Sequence, residues 1–552
     1  MPVVGDMLGA ALALAVALGD PPGPGPDLIA LDRLQLARPP PDPTASLLRR
    51  PSMRNPLSAL ALGLSLLALP AFAPTARAED HAASNEVVVG LQLEPPTLDP
   101  TAGAAAATDE IVYANVFEGL TRMGPDGRVL PGLAESWEVA PDGLSWVFNL
   151  RPGVTFQDGV AMTADDVVFS FDRAMAKDSL NAQKQLFLGI NEVTAIDDVT
   201  VEIGLDAPKG DLLFNLAWGD AAIVSPATAD GNKTRPVGTG PFKFSNWVQG
   251  DRVELVRNPD YWGTPGRLDK VTFKFISDPT AAYAAMMAGD VDVFPVFPAP
   301  ENLAQFAADP RFSVIVGTTE GETILAMNNA RPPFDDVRVR RAVAKAIDRQ
   351  AVVDGAMFGY GTPIGSHFAP HNPAFIDLTG VNPYDPETAR ALLAEAGYPD
   401  GFETTLALPP PPYARRGGEI VAAQLRAVGI ETRIQNVEWA QWLEQVFKNK
   451  DFDLTIVSHT EPMDIGIYAR DDYYFGPADP VVKALMDGLE SMTDPKDRAE
   501  VLGAVQERVA RRATNVFLFQ LPKTGVADAR IEGLWENMPI QANDMTAVYW
   551  RE

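Results

Sequence analysis

An α/β fold with mixed, partly parallel sheets is what the sequence predicts. Three observations carry that reading: runs of period-two apolar alternation recur from Glu86 onward, segments apolar at helical spacing lie between them, and Pro, Gly and Asp mark the junctions. A content of 46% hydrophobic and 21% charged residues belongs to a chain that buries large cores. No fixed-period repeat or low-complexity tract follows residue 80.

In chain order, Val87, Val89, Leu91 and Leu93 alternate with Val88, Gly90 and Gln92, and Pro95-Pro96 ends that strand. Ala102 to Ala107 reads as a helix start. The Pro141-Asp142-Gly143 turn leads into Trp146, Phe148 and Leu150, the arm of a hairpin. Val271, Phe273 and Phe275 form another strand, after which Asp278-Pro279 supplies an N-cap and first-turn proline for a helix stopped near Gly289. Asp385-Pro386 opens a helix with Ala389, Leu392, Leu393 and Ala396 on its apolar face and Gly397 behind it. A further helix is expected over Ile420 to Val428, followed by a strand, and Phe452, Leu454 and Ile456 mark the strand after that. Asp335-Asp336 and Arg338-Arg340-Arg341 are expected to cap and solvate an amphipathic helix.

The first 78 residues read as leader rather than fold. Arg49, Arg50 and Arg54 precede the apolar run Leu57 to Leu69, and Ala76-Arg77-Ala78 follows it with the small-x-small pattern of a cleavage site. The expectation is a secretory signal peptide over 53–78, cleaved after Ala78, with residues 1–52 a non-native or disordered extension. The apolar stretch Met7 to Leu18 is a rival signal or anchor without a basic flank or a following cleavage site. Both stretches are shorter than the roughly 20 residues that span a bilayer. The absence of Cys fits an oxidising compartment and removes disulfides, thiolate metal sites and cysteine nucleophiles. A net charge of -28 repels phosphate backbones, so no nucleic acid is expected as a partner.

Several segments, in order, carry a resemblance. They are Leu133-Ala134-Glu135-Ser136-Trp137, then Trp146 through Phe156, Thr163-Ala164-Asp165-Asp166-Val167, and Gly238-Thr239-Gly240-Pro241-Phe242. Arg257-Asn258-Pro259-Asp260-Tyr261-Trp262, Ala288-Gly289-Asp290-Val291-Asp292 and Phe334 through Ala342 with Ala346-Ile347-Asp348 continue it. Together they resemble the extracytoplasmic solute-binding proteins of family 5, the peptide/nickel class that feeds ABC importers. The resemblance implies a two-lobed periplasmic-binding-protein fold with an extra insert and a hinge between lobes. By motif order the main lobe takes 79–114, 236–323 and 521–552, the insert 115–235 and the second lobe 324–520, with hinge crossings near Ala326 and Gln520. Trp137, Trp146 and Trp262 lie in family-wide motifs and are expected in the core.

Catalytic signatures are missing: there is no G-x-S-x-G elbow, no H-E-x-x-H and no Walker loop, and Gly238-x-Gly240 lacks a third glycine. No enzyme activity and no cofactor are expected. Of four histidines, His81 lies at the expected mature N-terminus, and His367 and His371 fall among Pro363, Pro370 and Pro373, where a spacing of four carries no helical meaning. The run Ser458-His459-Thr460-Glu461-Pro462-Met463-Asp464 follows a strand, and ligands in open α/β sheets sit beyond the carboxyl ends of strands. Peptide binders of the family place a Gly-Trp pair and then an ammonium-binding Asp here. This chain has Ser458-His459, with Pro462 at the Asp position, so Glu461 or Asp464 substitutes, or the solute has no free α-amino group.

Arginine suits the opposite end of a zwitterion because its fork pairs with a carboxylate, and Arg415 and Arg416, after Tyr413, and Arg470 are the candidates. Tyr113, Trp218, Trp439 and Tyr468 are candidate aromatic walls, alongside Thr460 and His459 as further ligand contacts. The expectation is a monomeric periplasmic receptor that binds a small peptide or peptide-like solute and hands it to the transmembrane subunits of an ABC permease. Within the class, a nickel or metal-chelate receptor using His459 is the alternative. Outside it, the rivals are a secreted hydrolase and a periplasmic chaperone.

Overall fold

The computed structural model describes residues 4–17, 81–103, 105–461 and 463–551. The expected signal peptide, its cleavage site after Ala78 and most of the extension before it lie outside those residues, as does Pro462. Residues Val4–Ala17 form a helix, and among the described residues no helix is long and apolar enough to cross a membrane.

Among the described residues a mixed sheet of eleven strands organises the chain, one of them the short Thr362–Pro363, which pairs off the main path with Asn515–Asp528. Its centre is the antiparallel pair Phe312–Met327 and Asn515–Asp528. To one side lie Leu454–His459, Phe402–Leu408 and Ile430–Asn436, the last two parallel to each other. To the other lie Val293–Phe294, Glu86–Leu91, Lys270–Phe275, Arg252–Arg257 and Phe242–Val248. Glu86–Leu91 and Lys270–Phe275 pair in parallel, which needs the long crossover between them. Within that crossover sits a separate antiparallel sheet of Ala134–Val139, Ser145–Leu150, Thr200–Leu205 and Ile190–Asp197.

Each part has its own apolar core. Trp146, Phe148 and Phe171 fill the four-stranded unit, Val89, Phe242 and Phe273 fill the half containing Glu86–Leu91, and Val343, Leu406, Leu425 and Ile456 fill the half containing Phe402–Leu408. Trp137 and Trp262 pack against the four-stranded unit from its edge while Trp146 is fully buried inside it. The two central strands are therefore the load path between two α/β halves. Their ladder breaks from Thr318 to Glu322, opposite Gln520 to Pro522. That irregularity lies upstream of Ala326, which pairs in register with Asn515 and Thr455.

Local signals placed several boundaries well and others badly. Pro279–Ala288 is capped by Asp278, whose side chain accepts from Ala281 N, and it stops at Gly289 with φ 78°. Pro386–Glu395 starts at Asp385 in the same way. The first strand ends at Leu91, leaving Leu93 exposed, because the Glu94–Pro96 segment turns away from the sheet. The helix after Ala102 begins only at Ala106. The helix expected from Ile420 begins at Pro412, a proline tolerated in a first turn, so Tyr413, Arg415 and Arg416 lie on it rather than before it. The strand expected over 452–457 is shifted to Leu454–His459.

Asp336 caps Val337–Ala346 by accepting from Arg338 N at 2.8 Å, as the residue type predicts. Arg340 corrects the solvated reading. It is buried at 6% exposure and donates to Phe334 O at 2.8 Å and to Asp335 O, Arg512 O and Ala513 O at 3.2 Å each.

At the other edge of the sheet, Glu254 accepts from Lys270 Nζ at 2.9 Å, Asn246 Nδ2 at 3.1 Å and Arg252 Nε at 3.2 Å. Partial burial opposes its charge, but these three donors win and hold the carboxyl down at about 2. A depressed carboxylate stabilises the fold above its unfolded value near 4.5 and loses that contribution as pH falls toward 2. Glu254→Gln is therefore expected to flatten the acid limb of the unfolding curve between those two values. An unchanged limb in thermal melts would show that the cluster carries no net stability.

Candidate solute site

The run that begins at Ser458 is built where a strand ends. Leu454–His459 pairs with the central strand so that His459 faces Glu322 across the ladder and Ser458 faces Thr323. Beyond Thr460 the chain turns into the short 3-10 segment Asp464–Ala469, entered through Met463 at φ 64°. This turn brings Asp464 back over the strand end.

Three chain segments converge there. The His367 ring is buried, with Nδ1 at 2.6 Å from Glu322 Oε1 and Nε2 at 2.8 Å from Asp464 Oδ1. Neither contact is an aligned hydrogen bond, for Glu322 Oε1, His367 Nδ1 and Asp464 Oδ1 are buried without a hydrogen-bond partner. They are close ion pairs. Burial disfavours the imidazolium, yet Glu322 and Asp464 outweigh it and raise His367 to about 10. Burial also pushes the Glu322 carboxyl well up, against the pull of His367.

Four residues later, His371 repeats the device. Its Nε2 lies 2.6 Å from Glu320 Oε1 and its Nδ1 2.6 Å from Thr318 Oγ1. The proline-rich 363–373 segment is thus fastened at two points to the strand that passes between the halves. The spacing of His367 and His371 matters after all, as a match to Glu320 and Glu322 on a strand and not as a helical face.

His459 differs from its neighbour. It is buried, its Nε2 is 3.1 Å from the Tyr474 hydroxyl and its Nδ1 is 3.4 Å from the Tyr473 hydroxyl. Burial lowers its pKa and the nearby His367 adds to that, so it is the neutral partner of the two. Its Nδ1 lies 3.8 Å from Asp464 Oδ2. Burial likewise raises the hydroxyls of Tyr468, Tyr473 and Tyr474, which stay protonated as hydrogen-bond donors.

The other candidate residues divide into two groups. Tyr413 and Tyr468 join the cluster: the Tyr413 hydroxyl accepts from Ser458 N at 3.1 Å, and the Tyr468 ring stands edge-on to His367 at 5.6 Å and 90°. Thr460 and Glu461 are exposed on its rim, with Thr460 N donating to Glu461 Oε2 at 3.1 Å. Arg470 pairs with Asp472 at 3.2 Å and lies over Tyr473 at 5.1 Å. Trp439 is 41% exposed and packs edge-on to Trp442.

Arg415 pairs with Glu438 at 3.2 Å, and Arg416 stacks over Phe358 at 4.9 Å, so neither points a free fork at the cluster. Tyr113 and Trp218 sit elsewhere, in a small core with Met123, Ala217 and Ile540. The Tyr113 hydroxyl donates to Ala217 O at 2.7 Å and accepts from Met123 N at 2.9 Å, which uses its capacity in packing. Glu320, Glu322, His367, His371, Tyr473 and Tyr474 are the members that sequence reasoning missed.

Mixed nitrogen and oxygen donors also occur at metal centres. Glu322, His367 and Asp464 offer ligand atoms within 4.8 Å of one another, and so do His459, Glu461 and Asp464. In the first set the two imidazole nitrogens face opposite carboxylates, which suits an imidazolium better than a shared ion. The second set keeps an unprotonated nitrogen beside two carboxylates.

Residues 128–475 match the model of the bacterial extracellular solute-binding proteins, family 5. The chain belongs to that family. Glutathione-binding protein GsiB of Salmonella paratyphi A is 33% identical over 398 residues, 71% of this chain and 75% of the relative. Heme-binding protein A of Haemophilus influenzae is 33% identical over 357 residues, 59% of this chain and 64% of the relative, so the alignment spans less than two thirds of that protein. Among solved structures, HbpA2 from Haemophilus parasuis superposes with a TM-score of 0.74 at 25% identity, covering 85% of this chain and all of the other. For this family-5 chain the α/β reading and the two-lobed fold both hold. The family is one of solute-binding proteins.

Proposed function

We propose that this family-5 chain is the periplasmic solute receptor of an ABC importer, that it is not an enzyme, and that it binds a small peptide or peptide-like solute between two closing lobes. The Asp464 carboxylate carries this reading. It sits beyond the carboxyl end of Leu454–His459, next to the strand that joins the halves, with one oxygen held by His367 and the other turned toward His459. One oxygen already faces the His367 ring, and a peptide ammonium would be the cation for the other. Glu461, Thr460, Tyr413, Tyr468, Trp439 and Arg470 complete the proposed surroundings. Lobe closure would bury the solute and present a joint surface to the permease subunits. Export through the 53–78 signal peptide and action as a monomer belong to the same proposal.

The curated relatives take glutathione and heme by their names, so kinship leaves the solute open and the site has to choose it. Glutathione is itself a peptide. A second reading, a metal-chelate receptor, is favoured by the His459, Glu461 and Asp464 donor set. Native mass spectrometry of protein purified from its own periplasm separates the two, followed by thermal-shift screening of peptides, amines and nickel chelates. The expected result is a co-purified small peptide whose readdition raises the melting temperature. A nickel-dependent shift with no peptide response would replace the first reading by the second, and turnover of a peptide library would overturn both.

A further inference from the structure

We propose that the groove between residues 439–448 and the 470–474 segment is a side-chain pocket for the solute, and that it selects peptides whose N-terminal side chain is aromatic. The inference rests on the reading of Asp464 as the partner of the solute ammonium, and it adds what kind of residue carries that ammonium.

A stripe of exposed apolar side chains marks the place. Trp439 is 41%, Leu443 52% and Phe447 42% exposed, and the three recur every four residues, a spacing that keeps them on one face. Trp439–Trp442 is α-helical, and Leu443–Lys448 continues it as a turn of π-helix, a rare conformation that concentrates at functional sites. Contiguous exposed apolar surface of this kind marks a binding groove. The groove beside the stripe has a volume of about 470 Å³, within the size range of small-molecule sites. Ala440, Leu443 and Phe447 line it from the helix, and Tyr473 and Tyr474 from the facing segment. Ring contacts run from it to the anchor without a gap. Phe447 stands edge-on to Tyr473 at 5.8 Å, Tyr473 lies 6.1 Å from the His459 ring, and His459 Nδ1 lies 3.8 Å from Asp464 Oδ2. A peptide held at Asp464 by its ammonium therefore has its first side chain nearest the groove.

The lining also says which side chain fits. Lys448 pairs with Glu444 at 3.0 Å, Arg470 pairs with Asp472 at 3.2 Å, and Lys450 adds a third cation to the rim. Both acids of the groove thus already have a partner, and the surplus positive charge repels a Lys or Arg side chain of the solute. Arg470 lies over the Tyr473 ring at 5.1 Å, which commits it to the wall of the groove. Burial against Leu443, Phe447 and Tyr473 is then the main favourable contribution, and an aromatic side chain buries a large apolar area at the cost of only two rotatable bonds.

Isothermal calorimetry of the full-length protein tests this with the tripeptides Phe-Ala-Ala, Ala-Ala-Ala, Lys-Ala-Ala and Glu-Ala-Ala, and with phenethylamine, an aromatic amine that has no peptide bond. Wild type is expected to bind Phe-Ala-Ala at least about tenfold more tightly than Ala-Ala-Ala, and Lys-Ala-Ala no better than Ala-Ala-Ala. Ala440→Trp fills the groove and Leu443→Ser strips its wall, both at exposed positions. In each variant the preference for Phe-Ala-Ala over Ala-Ala-Ala is expected to fall below about threefold. Equal affinity of wild type for those two peptides, or a preference that survives both substitutions, overturns the inference and leaves the peptide reading standing. Tighter binding of Glu-Ala-Ala than of Phe-Ala-Ala overturns it as well, by giving the groove to Lys450. If no peptide binds, the peptide reading fails and phenethylamine decides the groove. Binding to wild type that Ala440→Trp abolishes upholds the pocket, whereas no binding, or binding that Ala440→Trp leaves intact, overturns it.

Discussion

Asp464→Asn is expected to weaken binding of the co-purified solute by about 2–4 kcal/mol, the largest single loss in the site. The substitution keeps the shape of the side chain and removes its charge. On one side His367 would then face a neutral amide instead of a carboxylate at 2.8 Å. On the other, a solute ammonium would be buried without its partner, and an unpaired buried charge costs far more than a solvated one. Glu461→Gln is expected to cost less than about 1 kcal/mol, because Glu461 is exposed on the rim and water screens it. Isothermal calorimetry on the two variants decides the assignment that the sequence left open. Unchanged affinity in Asp464→Asn with a large loss in Glu461→Gln would give the ammonium to Glu461.

Arg340→Ala is expected to destabilise the fold by about 3–5 kcal/mol, with little effect on solute contacts. The Arg340 guanidinium is buried and spends its donors on four backbone oxygens: two just before its own helix and two at the end of Pro495–Arg512. Those last carbonyls have no intrahelical partner, and the guanidinium is their cap. Burial lowers its pKa to about 10, which still leaves it fully charged in the physiological range. Removing it leaves both a cavity and unpaired acceptors. Arg340→Lys is expected to recover only part of the loss, since an ammonium lacks the planar fork that reaches two segments at once. Chemical denaturation monitored by tryptophan fluorescence measures the difference. A loss below about 1 kcal/mol in Arg340→Ala would mean that water replaces the guanidinium at no cost.

Features read correctly from the sequence are those encoded within one or two turns of chain. Asp278 with Pro279, Asp385 with Pro386 and Asp336 before its helix announced helix starts because a cap acts over three residues. The 145–150 arm was visible in its alternation and its Pro-Asp-Gly turn. The helix start at Pro412 was missed because four consecutive prolines, 409 to 412, read as a loop, although the last one suits a first turn. Arg340 was misread for a related reason. Its place in a charged helix predicts solvent, and only the docking of the Pro495–Arg512 end over it makes it a buried cap.

The sequence by itself determined the α/β class and the family, and it nominated Glu461 and Asp464 at the strand end where the solute site is proposed. Periodicity, caps and motif order are local and survive without knowledge of which segments meet. Only the tertiary structure decided that Glu322, His367 and Asp464 meet, that Arg415 and Arg416 are engaged elsewhere, and that Tyr113 serves the core. Those contacts join residues far apart in the chain, and their energy depends on burial and on the sign of the neighbouring charge. Neither quantity is a property of a residue alone: His367 and His459 are the same side chain, and two carboxylates hold the one charged while burial holds the other neutral.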